Sequence, residues 1–179
     1  YAEKEYTYNN ITQHNRNKLL WRDKSVDGLK TGHTEEAGYC LAASAKRDGM
    51  RLISVVLGTR SENARAQETQ KLFNYGFRFF ETHDLYQAGQ QIAESKVWKG
   101  ETDKVSLGLA EALTITVARG QYEALVATTN IEKPIVAPIQ VGQVLGEVNI
   151  HLAGELVATK QLVAIEAIEK GSWWRQLLD

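Results

Sequence analysis

Val26-Asp27-Gly28-Leu29-Lys30-Thr31-Gly32-His33-Thr34 joins a strand-like apolar lead to a Lys-Thr-Gly triplet. Each member of the triplet has a mechanical reading: the lysine is a fixed positive charge, the threonine hydroxyl makes a hydrogen bond, and the glycine leaves room for another backbone. Alone the triplet is weak, since about one chain in twenty of this length would contain it by chance. Its surroundings add more. Glu35-Glu36-Ala37-Gly38 is a turn signal, and Tyr39 to Ala45 reads as a buried strand of small residues. Asp48-Gly49 marks a hairpin turn, and Met50 to Gly58 is a second apolar strand. Three adjacent antiparallel strands are expected, with the triplet on the outermost, beside a cleft.

The helix that covers them is predicted from Ser61, a good N-cap, to about Phe80. Thr69, Leu72, Phe73, Gly76, Phe77 and Phe80 fall on one helical face. That face is expected to pack on the strands, with Gly76 permitting close approach and Arg65 on the opposite side. Upstream, Glu5-Tyr6-Thr7-Tyr8 reads as a strand ending at the turn pair Asn9-Asn10. Ile11 to Trp21 is expected to be a loop approaching the triplet, in which Arg16 is either a surface charge or a group leaning into the cleft.

From about Thr82 the pattern changes to short β-runs: Gln91–Ala93, Lys96–Lys99, Lys104–Leu107, Leu113–Val117, Glu123–Ala127, Ile135–Ile139, Gln143–Leu152 and Glu155–Ala164. Even spacing of this kind predicts a small antiparallel sandwich. The fold class is therefore α+β, with an all-β domain over 83–171 following a mixed domain over 1–82. In the tail, 172–179, Trp173, Trp174, Leu177 and Leu178 would share one helical face. That suits either the start of an interfacial membrane helix or a terminal helix docked on its own domain.

The bulk properties exclude several classes. Lys plus Arg (21) nearly balances Asp plus Glu (22), and no basic stripe is present, so nucleic acid is not an expected partner. The four histidines (His14, His33, His83, His151) lie far apart without partners at ligand spacing, so no metal or cofactor is expected. Cys40, the single cysteine, is expected as a small core residue. No stretch reaches the length of a membrane-spanning helix.

Taken together, Asn15-Arg16-Asn17, Val26 to Thr34, Ala37-Gly38-Tyr39, Met50 to Ser54, Gly76 to Phe80, Val105 to Gly108 and Gly142 to Gly146 resemble the C-terminal part of D-alanyl-D-alanine carboxypeptidases. The resemblance is to the low-molecular-mass penicillin-binding proteins, and K-T-G is one of their shared motifs. It implies a β-lactamase/transpeptidase-like first domain and a serine acyl-enzyme that trims the terminal D-alanine from peptidoglycan pentapeptides. β-Lactam antibiotics would acylate the same serine. Residue by residue, it implies that Lys30 acts electrostatically, Thr31 binds the substrate's terminal carboxylate, and Gly32 leaves space. It also implies that the backbone N–H of His33 is an oxyanion-hole donor. Arg65, and less directly Arg16, are candidates for a further carboxylate contact.

The nucleophile of that family belongs to Ser-x-x-Lys. None of Ser25, Ser44, Ser54, Ser61, Ser95, Ser106 or Ser172 has a lysine three positions on. Ser61-Glu62-Asn63 has the form of the second motif, Ser-x-Asn, but follows the triplet and already serves as a cap. The expectation is a C-terminal piece that needs an N-terminal catalytic half, or a second copy, to complete the site. The resemblance places the parent enzyme in the periplasm, attached peripherally to the outer face of the inner membrane. A different reading is a non-catalytic β-rich platform, or a partner-binding module, at the membrane surface.

Overall fold

The computed structural model describes residues 1–173, which separate into two compact units, one from Tyr1 to Glu81 and one from Thr82 onward. In the first unit, β1 (Glu5–Tyr8) and β2 (Ile11–His14) form a hairpin. Its turn is Asn9-Asn10, both at positive φ (47° and 63°), a conformation asparagine tolerates well. The loop expected from Ile11 is thus a strand for its first residues, because the turn pair folds Ile11–His14 back onto β1. The rest contains a single helical turn, α1 (Leu19–Arg22), anchored by the buried Leu19 and Leu20.

The predicted meander follows. β3 (Val26–Thr34), β4 (Gly38–Arg47) and β5 (Met50–Thr59) form an antiparallel sheet in that order, with β3 at the edge. Asp48 (φ 46°) and Gly49 (φ 82°) make the tight β4–β5 turn, whose positive φ values match the twist of the flanking strands. On one face Leu41, Ala43 and Ala45 are buried beneath α2 (Glu62–Phe79). Ser61 caps that helix, its Oγ accepting the Ala64 N–H at 3.1 Å. Gly76 permits the close approach to β5: a Cβ there would lie 2.4 Å from Leu52 Cδ1, so that side chain would have to shift.

Two expectations about α2 are corrected. Leu72 is 50% exposed rather than packed, and Arg65 is 3% exposed rather than solvent-facing. The buried set is Arg65, Ala66, Thr69, Phe73 and Gly76. Steps of four and three carry the stripe back from Gly76 through Phe73 and Thr69 to Arg65, and leave Leu72 about 100° away from Phe73. Cys40 is half-buried, not core, with its Sγ 3.5 Å from the Ala37 carbonyl. The opposite sheet face leaves Ile53, Val55 and Leu57 at 68%, 61% and 71% exposure.

Below the sheet, Asp23 accepts from Arg47 Nη2 (2.6 Å), Gln70 Nε2 (2.9 Å) and Ser25 Oγ (2.5 Å). Burial alone would raise this carboxyl, but the hydrogen bonds from Ser25, Gln70 and Arg47 outweigh it and hold the pKa at about 2. A carboxyl lowered on folding adds stability above its unfolded pKa and loses it as pH falls toward the folded value. The gain, about 2 kcal/mol, is therefore expected to disappear between about pH 4 and pH 2. Urea unfolding of the wild type and Asp23→Asn across that range checks this: their stability difference should shrink as pH falls. A difference that stays constant would overturn it.

The second unit carries β6 (Phe80–Tyr86), β7 (Gln91–Trp98), β8 (Lys104–Gly108), β9 (Leu113–Ala118), β10 (Leu125–Ile131), β11 (Ile135–Val136), β12 (Val144–Leu152) and β13 (Glu155–Ala164). Six of them form one sheet in the order β10-β12-β13-β8-β7-β11, and β6 pairs with β9 in a second. Alternation along β9 sends Leu113, Ile115 and Val117 into a core shared with Val105, Leu107, Val148 and Leu162 of the larger sheet. The two sheets thus form the expected small sandwich.

Details differ from the predicted runs. Gln91–Ala93 and Lys96–Lys99 are parts of one strand, since Glu94 and Ser95 stay in the ladder. The run at Glu123 opens with a turn of 3-10 helix, Tyr122–Ala124. The run from Ile135 shrinks to two residues between Pro134 and Pro138, which lack the N–H a longer ladder needs, and β11 pairs with β7 in parallel. The expected tail helix over 172–179 falls largely outside the described residues. Among the described residues no helix is long and apolar enough to cross a membrane.

Candidate active site

β3 has a neighbour on one side only, so alternate main-chain groups along it face away from the sheet. Lys30 and Gly32 are exposed and Thr31 is half-buried. The register places Thr31 opposite Leu41, Gly32 opposite Cys40 and His33 opposite Tyr39. The His33 and Tyr39 rings pack with centroids 3.9 Å apart, which fixes the end of the triplet strand. Lys30 Nζ donates to the Thr31 carbonyl at 2.5 Å. A Cβ added at Gly32 would meet only Cys40 Cβ, at 3.7 Å, so packing within this unit does not require glycine there.

Arg65 is the group that ties the strand to the rest of the unit. From the first turns of α2 its Nη1 donates to the Gly32 carbonyl (3.2 Å) and its Nη2 to the Arg16 carbonyl (3.3 Å). The guanidinium also lies 5.5 Å from the Tyr39 ring centroid and 3.7 Å from Glu62 Oε1. One planar cation thus holds the triplet strand and the segment before α1 in fixed relation. The five donors of the guanidinium fork suit such a bridge, whereas an ammonium would span it poorly. Arg16 enters through its main chain and is exposed. Glu62 is held below the usual carboxylate range, first by the hydrogen bond from Lys18 and then by the positive charges of Lys18, Arg65 and Arg16.

Asn17 is a further positioning residue, quoted in the motif run but given no role by sequence reasoning. It is 2% exposed, donates Nδ2 to the Gly28 carbonyl (3.0 Å) and accepts the Leu19 N–H at Oδ1 (3.2 Å). The side chain clamps the start of β3 to α1. A buried amide satisfied on both ends by main chain could have been suspected from Asn17 standing directly before the apolar anchor Leu19-Leu20-Trp21. The structure therefore gathers Lys30, Thr31, Gly32, His33, Arg65 and the Arg16 main chain at one edge of the first unit, backed by Asn17. Among the described residues no group of three or more His, Cys, Asp or Glu side chains is placed to hold a metal ion.

Each of the two units matches a known family. Residues 80–170 match the family described as penicillin-binding protein 5, C-terminal domain, and residues 1–61 match the D-alanyl-D-alanine carboxypeptidase family. The chain is 42% identical to the D-alanyl-D-alanine carboxypeptidase DacA of Escherichia coli over 181 aligned residues, covering 100% of this chain and 45% of that protein. It is 36% identical to DacF of Bacillus subtilis, over 89% of this chain and 41% of that protein. Penicillin-binding protein 5 of Haemophilus influenzae superposes with a TM-score of 0.87 at 40% identity, covering 95% of this chain and 50% of that one. The chain thus spans about half the length of the relatives it matches, and that half is the C-terminal one, with the triplet edge strand followed by the β-sandwich. With the sandwich match alone extending over half of its residues, the chain belongs to the penicillin-binding protein 5 family of D-alanyl-D-alanine carboxypeptidases.

Proposed function

We propose that this chain is the C-terminal portion of a serine-type D-Ala-D-Ala carboxypeptidase that trims peptidoglycan pentapeptides and is acylated by β-lactams. The observation that carries the reading is the Lys30-Thr31-Gly32 segment on an unpaired edge strand, braced from behind by the buried Arg65. Lys30 supplies positive charge at the cleft, and Thr31 donates its hydroxyl to the substrate's terminal carboxylate. Residues two apart face the same way along a strand, so the His33 N–H shares the side of the Thr31 carbonyl that Lys30 reaches. There it serves as an oxyanion donor, a role worth about 3–4 kcal/mol in other enzymes. Since packing does not call for glycine at position 32, the space is for substrate backbone.

The attacking serine and its base come from a Ser-x-x-Lys segment that this chain does not contain. The serine Oγ bonds to the carbonyl carbon of the penultimate residue, D-alanine leaves with the proton the base took from the serine, and water then cleaves the ester. The exposed row Ile53, Val55 and Leu57 supports the same reading, because an apolar sheet face of this kind takes a further packing layer. That layer is the polypeptide bearing the nucleophile. The parent enzyme acts in the periplasm on cell-wall peptides, attached to the outer face of the inner membrane through its C-terminal end.

Intact mass of every polypeptide in a preparation, before and after penicillin, tests the reading. A covalent adduct on a companion polypeptide or on the full-length enzyme, and none on this chain alone, is expected; no adduct anywhere would overturn it. Thr31→Val in the full-length enzyme should lower kcat/KM for a D-Ala-D-Ala peptide about tenfold or more, the loss expected for one hydrogen bond to a charged group. Unchanged turnover would remove Thr31 from the site.

A further inference from the structure

The larger sheet of the second unit curls until its two edges face one groove. Thr129, Asn130 and Ile131 of β10 line one side, Trp98 and Ile135 of β7 and β11 the other, around a volume of about 830 Å³. β10 is an unusually bare edge. Its seven residues, Leu-Val-Ala-Thr-Thr-Asn-Ile, contain no charge and no proline, and its pairing with β12 runs without a bulge. Natural edge strands normally carry at least one such device against pairing with another chain.

The ladder shows which groups are open. Glu132 N–H donates to the Leu145 carbonyl at 2.9 Å, so alternation puts Asn130 and Thr128 in bonded pairs with β12. The N–H and C=O groups of Thr129 and Ile131 then point away from the sheet, and both residues line the groove. Among the described residues no hydrogen bond meets their main chain on that side. The charge at the groove is positive. Lys96 and Lys133 line it, with Lys96 Nζ 3.7 Å from the Trp98 ring centroid, while Glu94 is paired to Lys104 at 2.5 Å.

From this we propose that the groove binds an extended acidic peptide of a partner protein, which adds as a strand to β10 and hydrogen-bonds the main chain of Thr129 and Ile131. Alternate apolar side chains pack against the half-buried Trp98, and carboxylates meet Lys96 and Lys133. Strand addition of this kind draws affinity from main-chain bonds and specificity from alternate side-chain positions. The site belongs to the β-sandwich and does not depend on the peptidase reading of the first unit.

The test uses the full chain with two fluorescein-labelled peptides, one alternating glutamate and valine, the other lysine and valine. The acidic peptide should bind saturably, at least about tenfold tighter than the basic one, and slow hydrogen exchange at the Thr129 and Ile131 amides. Thr129→Pro deletes one outward N–H without touching the β12 ladder, and should abolish binding while the far-UV spectrum is kept. If that variant fails to fold, Lys133→Glu, outside every strand, should still weaken the acidic peptide about tenfold. No binding, equal binding of both peptides, or protection elsewhere than β10 would overturn the proposal. So would a stable dimer dissociated by Thr129→Pro, since a second copy would then fill the edge.

Discussion

Phe73→Ala is expected to destabilise the first unit by about 3–5 kcal/mol, the usual cost of emptying a buried phenylalanine site. Phe73 is 1% exposed and packs among Leu19, Leu20, Val26, Leu41, Ala43, Ala45 and Ala66. Three of these neighbours, Ala43 and Ala45 on β4 and Ala66 on α2, are alanines that cannot swing into the space, and the Phe77 ring lies 6.3 Å away. Collapse around the cavity is therefore limited, which puts the cost toward the upper end of the range. Native-state hydrogen exchange at Leu41 and Ala43 measures it locally. Faster exchange by two to three orders of magnitude, about 3–4 kcal/mol, is the expected outcome, and a change under about 1 kcal/mol would show that Phe73 is not the centre of this core. The same effect reaches the site, since α2 carries both Phe73 and the arginine that braces β3.

How much of this was legible in the sequence depended on range. The β3–β4–β5 meander was read correctly because each step is local: a turn signal ending at Gly38, a run of small residues from Tyr39 to Ala45, the Asp48-Gly49 turn, then an apolar run from Met50. The N-terminus of α2 was legible for the same reason, as Ser61 precedes the helix it caps. Arg65 was misread by its charge. Its spacing to Thr69 and Phe73 already put it on the buried stripe, but a cation is assigned to solvent unless its acceptors are seen, and these lie 33 and 49 residues away. Leu72 was misread in the opposite sense, since its apolarity placed it in the core on a position that turns outward. In the second unit the strands were visible but their order was not. Nothing local to β13 says that it sits between β12 and β8, and the two-residue β11 has too little pattern to reveal a parallel pairing. The chemistry at the edge strand came from the triplet and the motif runs around it, while periodicity supplied only the strand.

The identity of Arg65 as brace or as substrate contact can be separated by two substitutions in the full-length enzyme. Arg65→Met keeps the length and apolar stem but leaves the Gly32 and Arg16 carbonyls without their charged donor, a loss of about 1.5–3 kcal/mol for each such bond. Removing a buried cation recovers part of its desolvation, so a net loss of about 2–3 kcal/mol is expected, read as a fall in Tm. Because Gly32 is the anchored residue, the triplet should shift, and kcat/KM for a D-Ala-D-Ala peptide should fall about a hundredfold. Arg65→Lys then divides the roles. An ammonium restores one bond and the charge but cannot reach both carbonyls with the geometry of the fork. If Arg65 only braces the strand, stability and kcat should recover together, in part, with KM unchanged. If it also meets the substrate's carboxylate, as the resemblance implies, KM should stay raised for peptides ending in a free carboxylate and not for their methyl esters. Wild-type stability and turnover in Arg65→Met would remove both roles, leaving the triplet strand to be held by its ladder with β4 and the Asn17 clamp.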